Sequence, residues 1–305
     1  MRKRTLALLA LAGLVVLAGC SGETTETTIE TDGSDTPTET ETQTPDKTTS
    51  KPAETTSDSG ETSTPVQIDT ATLQADTIEA MSDVVSYRMA QNVTTVQMTN
   101  NQEVTTNIEI EYAANRDAKA LESHRTVTQL GTETVIDTYL SDERLYQRSD
   151  QYVQRYGSEW VTENVSENFT QQFNLRDQLW RYEFTLDSAS LSSVEATTVD
   201  GTETYRVAAD VNTTKLNDAI RSSLNLSANA SQAVSAGTNV TSTFWIDTET
   251  KRPLRVDRTV IGTQTIQGQP VDFERTITTE LSYEEVTVTL PDGANSAVSL
   301  NSTAS

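Results

Sequence analysis

Ile108-Glu109-Ile110-Glu111-Tyr112 decides how this chain is read. Large apolar side chains stand at every second position with a carboxylate between them. That fits a strand with one buried and one wet face, whereas a helix of 3.6 residues per turn would scatter the same residues round its cylinder. Working outward, Val85, Tyr87, Met89 and Val93 alternate with polar neighbours upstream, and Thr126 to Leu130 and Thr134 to Leu140 continue the pattern downstream. Asn100-Asn101, Asn115-Arg116-Asp117 and Gly131 supply turns between these runs, so the strands are antiparallel and half-buried. Farther on, Leu191 to Val199 and the run Tyr205, Val207, Ala209, Val211 flank Asp200-Gly201. That dipeptide suits a tight hairpin because it tolerates positive φ. Val240 to Ile246, Leu254 to Ile261 and the alternation Val271, Phe273, Ile277, Leu281, Tyr283 complete the strands, followed by Val286, Val288 and Leu290.

Three stretches break the period of two. Residues 70–84 place Leu73, Thr77, Ile78 and Met81 at three-to-four spacing behind Asp69 or Thr70 as cap, which predicts a helix. Residues 165–182 bring Phe169, Phe173 and Trp180 to one helical face with Glu167 and Arg176 elsewhere, an aromatic-rich amphipathic helix. Thr213 to Leu226 sets Leu216, Ala219, Ile220 and Leu224 on one side. The order of elements predicts an α+β domain over residues 67–290. Its large, curved antiparallel sheet carries a few helices on one face, and residues 291–305 are a polar tail.

Upstream of the domain the chain changes class. Arg2-Lys3-Arg4, a short apolar run and Leu17-Ala18-Gly19-Cys20 read as a signal peptide over residues 1–19 ending in a lipobox. The run is too short for a spanning helix. Cys20, the only cysteine, would carry the lipid, and a two-chain lipid holds a protein to a membrane where one chain holds it marginally. Residues 20–66 are Thr, Ser, Glu, Asp and Pro with almost nothing apolar, a disordered stalk suited to O-glycosylation. A coil of that length reaches roughly 40 Å. These features place the protein on the extracellular face of the cell membrane.

With 45 acidic residues against 22 basic ones the formal net charge is −23. A nucleic acid would be repelled. An acidic, Lys-poor chain fits a halophilic, archaeal exported protein, because concentrated salt screens its self-repulsion.

Three patches carry a resemblance to a known family. Tyr139-Leu140-Ser141-Asp142-Glu143-Arg144-Leu145-Tyr146, Val199-Asp200-Gly201-Thr202-Glu203-Thr204-Tyr205, and Trp245-Ile246-Asp247 with Pro253-Leu254-Arg255 resemble the strand, hairpin and late-strand patterns of the lipoprotein-carrier superfamily. That group includes the LolA and LolB carriers and the mycobacterial LppX and LprG lipoproteins. The resemblance spans roughly residues 70–290. It implies a half-open β-barrel whose concave face, lidded by helices, receives acyl chains and has no catalytic residues. Unlike the soluble carriers, this chain reads as tethered, so their cargo does not transfer. Phe169, Phe173, Trp180 and Trp245 are candidates to line a hydrophobic pocket, and filling of the core by the same rings stands beside that reading.

Enzyme chemistry finds no motif. His124 is the only histidine and sits in a strand-like run as a surface polar residue. No second His or Cys is present to build a metal site or a nucleophile pair, and no phosphate-cradling loop or nucleophile elbow occurs. No cofactor is expected. Asn92, Asn164, Asn168, Asn212, Asn225, Asn229, Asn239 and Asn301 open Asn-x-Ser/Thr sequons, candidate N-glycosylation sites outside the cell. Three functions from different classes remain: an anchored module binding a lipid or other hydrophobic ligand, an envelope protein with a filled core that contacts surface-layer or other envelope proteins, and a hydrolase with an unmarked acidic site.

Overall fold

The computed structural model describes residues 64–65, 68–99, 102–225, 238–266 and 269–300. The leader, Cys20, all of the stalk but residues 64 and 65, Asn229 and Asn301 lie outside them. In chain order the strands are β1 (Thr64–Pro65), β2 (Ser86–Thr99), β3 (Gln102–Asn115), β4 (Ala120–Gln129), β5 (Thr132–Ser141), β6 (Arg144–Arg148) and β7 (Trp160–Asn164). Then follow β8 (Ala189–Val199), β9 (Thr202–Val211), β10 (Asn239–Asp247), β11 (Pro253–Ile266), β12 (Gln269–Ser282) and β13 (Val298–Ser299). The helices are α1 (Thr70–Ser82), α2 (Gln151–Tyr156), α3 (Phe169–Asn174), α4 (Gln178–Asp187) and α5 (Thr213–Ser223).

All thirteen strands join one curved sheet in the order β1-β8-β9-β10-β11-β12-β2-β3-β4-β5-β6-β7-β13. The pairing is antiparallel except where β13 runs parallel to β7. The sheet stays open, a half-barrel with helices on its concave face. Hairpins of neighbouring strands build most of it, and Asp200 and Gly201 turn the β8–β9 hairpin with φ of 48° and 84°, the conformation that tight turn requires.

Register separates two faces along the whole sheet. On the inner face Val207, Phe244, Val256, Thr279, Gln91, Ile110 and Arg125 stand directly opposite one another from β9 to β4. On the outer face Arg206, Trp245, Arg255, Glu280, Ala90, Glu111, His124 and Asp137 do the same from β9 to β5. The alternation in Ile108 to Tyr112 is this division seen along one strand. Helices α1 and α4 pack on each other and on the inner face, with Leu73, Met81, Leu179, Leu186, Phe244 and Ile246 at the centre of the main core.

The helical stretch of residues 165–182 is broken rather than continuous. A 3₁₀ turn, Ser166–Asn168, leads into α3, and Asp177, extended at φ −67° and ψ 111°, starts α4 afresh by accepting from the Leu179 and Trp180 amides. Asp177 is almost wholly buried and has other partners. Tyr87 Oη donates to its Oδ1 at 2.9 Å and Arg116 Nε to its Oδ2 at 2.8 Å. Arg116 further donates to Glu183 Oε1 at 2.9 Å and to the Met81 carbonyl at 2.7 Å. Burial, joined by the charge of Asp177, holds the Tyr87 phenol well above its ordinary pKa, so it stays a donor. One carboxylate thus ties β2, the β3–β4 turn, the end of α1 and the start of α4.

Residues 291–300, expected as a polar tail, belong to the fold. Val286 is buried, a 3₁₀ turn over Asp292–Ser296 lies on Trp160, and β13 closes that edge of the sheet. Gly293 permits the approach: a Cβ there would stand 2.6 Å from the Trp160 indole nitrogen.

Replacing Asp177 leaves Arg116 buried without one of its two carboxylates and removes the cap of α4. Asp177→Ala is expected to cost about 3–5 kcal/mol in urea unfolding. Asp218→Ala, which removes an exposed ion pair with Arg221, is expected to cost about 0.5 kcal/mol or less.

Candidate functional site

Beneath α3 and α4 the inner face does not close completely. It leaves a cavity of about 160 Å³ between β2–β5, β11–β12 and the helices. Met89, Ile110, Leu121, Ile136 and Ile277 give it apolar walls, the natural result of strands whose alternate side chains all point inward. Tyr182 reaches in from α4 and donates to Thr279 Oγ1 at 2.9 Å, to which Gln91 Nε2 also donates at 3.0 Å. Tyr112, across the sheet, donates to the Arg176 carbonyl at 3.1 Å and holds the α3–α4 junction over the cavity.

Three arginines, Arg125, Arg176 and Arg258, line this space, and no Asp or Glu does. Arg125 projects from β4 between Ile110 and Ile136, its directly opposed neighbours. Arg258 projects from β11, where its guanidinium lies 5.4 Å from the Tyr182 ring centre and donates to Thr185 Oγ1 at 3.3 Å. Its Nε is buried with no partner. Arg176 donates to the Gln172 carbonyl and side chain. Nearby Arg181 donates to the Leu175 carbonyl, and burial, reinforced by the charge of Arg258, brings its pKa down to about 10. Burial alone lowers that of Arg125, and burial lowers that of Arg258 against an opposing pull from the Tyr182 phenol. At neutral pH all of these groups keep their charge, so the cavity is apolar in its walls and positive in its field.

The aromatic candidates lie elsewhere. Phe173 is in the main core and Phe169 packs against it. Trp180 joins Val211, Leu216, Ile220 and Leu224 in a second cluster under α5, edge-on to Phe184 at 4.6 Å. Trp245 is on the outer face between the guanidiniums of Arg206 and Arg255, 5.7 and 4.8 Å from its ring. A wider outer groove of about 760 Å³ is lined by Arg88, Glu111, Glu122 and Glu280. Its charges are of both signs, so it offers no single-sign field. His124 is exposed there, its Nδ1 2.5 Å from Asp137 Oδ1. Among the described residues no group of three or more His, Cys, Asp and Glu could hold a metal ion, and no helix is long and apolar enough to cross a membrane. Asn92, Asn164, Asn168, Asn212, Asn225 and Asn239 are exposed; the Asn212 side chain caps α5 by accepting from the Lys215 amide at 2.9 Å.

Sequence reasoning missed the arginines, although a signal exists. Arg258 stands between Val256 and Val260, and Arg275 between Phe273 and Ile277, at the parity of their strands' buried residues. A cation repeating on the core parity of a strand marks a place where the interior is not purely apolar.

The profile of a family described as "Family of unknown function (DUF6612)" matches residues 69–298. Among curated proteins none matches this chain. Among solved structures it is similar to LprF from Mycobacterium bovis, at 12% identity over 73% of this chain and 96% of that one, with a TM-score of 0.40. It is also similar to a putative outer membrane lipoprotein-sorting protein domain from Vibrio parahaemolyticus, at 9% identity over 73% and 95% of the two chains, TM-score 0.25. A DUF1329 family protein from Desulfovibrio piger matches at 11% identity over 73% and 95%, TM-score 0.25.

Because Trp180 packs under α5 and not on the cavity, Trp180→Ala is expected to lose about 3 kcal/mol of stability. Uptake of an apolar dye by the folded protein, measured below the urea transition, is expected to stay within about twofold of the parent.

Proposed function

The chain belongs to DUF6612, a family of unknown function, and from that premise we propose that its domain binds the apolar part of a lipid or other hydrophobic ligand without acting on it chemically. The observation that carries this reading is the cavity under α4, walled by Met89, Ile110, Leu121, Ile136 and Ile277. Close packing is the rule inside proteins, and an apolar void of about 150 Å³ is of a size that accepts a benzene-sized guest. A longer chain would extend from it along the inner face, where Ile108 and Val127 are only half-buried. The resemblance to the lipoprotein carriers in the strand and hairpin patterns points the same way.

The setting belongs to the proposal too. Cys20, lipidated after removal of residues 1–19, tethers the domain to the outer face of the cell membrane, and residues 20–66 hold it away from the bilayer. A binding module placed there holds or presents a ligand at the membrane surface.

Native mass spectrometry of the protein purified from its own host is expected to show co-purifying lipid, and reproducible absence of bound mass would count against the reading. Ile136→Trp, which fills the cavity, is expected to abolish that bound mass while costing about 1–3 kcal/mol of stability. For the tether, Cys20→Ser is expected to leave the protein unprocessed or released from membranes; a variant fractionating and processed like the parent would exclude lipidation at that residue.

A further inference from the structure

The acidic chain neutralises several of the arginines that meet solvent. Arg148, Arg206, Arg221 and Arg255 each lie within 3.3 Å of a carboxylate, and the partly buried Arg116 has two. At the cavity the pattern reverses. Arg125 and Arg258 have no ion pair with any described residue, Arg125 makes no hydrogen bond there either, and the buried Nε of Arg258 is unsatisfied. Arg181 and Arg275, also inward of the sheet, are without a carboxylate as well. Burying a cation without an anion is costly, and so is leaving a buried donor unpaired. In a chain with net charge −23, acid-free surroundings for several partly buried cations are a local departure that calls for a missing negative group.

We propose that the cavity takes an anionic amphiphile whose oxyanion head group, a phosphate or carboxylate, is held by Arg125 and Arg258. These two residues line the same small cavity from two strands of the sheet, β4 and β11, with Ile110, Ile136 and Ile277 beside them for the chain. A guanidinium presents its donors in a planar fork that matches an oxyanion, and such charge-assisted bonds are the strong ones. The inference rests on the cavity being a ligand site and adds the sign of the ligand's charge.

Displacement of Nile red from the full chain by dodecyl phosphate, dodecanol and inorganic phosphate tests it. Dodecyl phosphate is expected to displace the dye at a concentration roughly 10-fold or more below that of dodecanol. In Arg125→Gln that ratio is expected to fall towards one, and in Arg125→Lys to be retained in part. Equal displacement by the two alkyl compounds with the parent protein would overturn the anion and leave the apolar site standing. Displacement by neither would remove the site itself, and inorganic phosphate competing as well as dodecyl phosphate would overturn the amphiphile in favour of a free-anion site. The comparison on the parent protein decides the matter even where a variant fails to fold.

Discussion

Asp177 holds the molecule's two layers together. Its carboxylate accepts from the Tyr87 hydroxyl, the Arg116 guanidinium and two amides at the start of α4. A buried carboxylate is tolerated because every one of these donors compensates its lost hydration. Through Arg116 the same network reaches Glu183 and the end of α1, so two helices, strand β2 and the β3–β4 turn share one polar anchor. The anchor also fixes where α4 begins. That position carries Arg176 and Tyr182 over the inner face and leaves the void beneath them.

The sheet supplies the complementary constraint. Directly opposed residues keep one row apolar through β9, β10 and β11 and another row charged on the outer side. A slip of one residue at any hairpin would exchange the two rows, so burial enforces the register. The outer row carries cations, aromatic surface and carboxylates. The inner row changes character between β11 and β4, from Phe244 and Val256 to Thr279, Gln91 and Arg125. Where it changes, the helices no longer fill the curve of the sheet.

Charge and packing therefore meet at one place. The chain is acid-rich over its surface, yet its cavity is lined by arginines, apolar residues and neutral polar side chains, with no carboxylate among them. Residues of β4 and β11 line one cavity although four strand spacings separate the two strands in the sheet, and so the fold gathers cations that no local sequence window contains.

Much of the fold was legible because backbone geometry acts locally. Ile108 to Tyr112 announced a two-faced strand, Asp69 a helix start, and Asp200-Gly201 a hairpin, since each reflects a period or a φ preference that neighbouring residues set by themselves. The break at Asp177 was not legible: the aromatic spacing of Phe169, Phe173 and Trp180 continues smoothly through it, and only the distant Tyr87 and Arg116 show why an aspartate stands there. The docking of residues 291–300 likewise depends on Trp160, far away in the chain. Periodicity also said which side of each strand faces inward. Only tertiary structure decided which inward residues meet, because the shape and charge of an interior void are sums over side chains brought together by sheet curvature and helix placement, and neither is a property of any single segment.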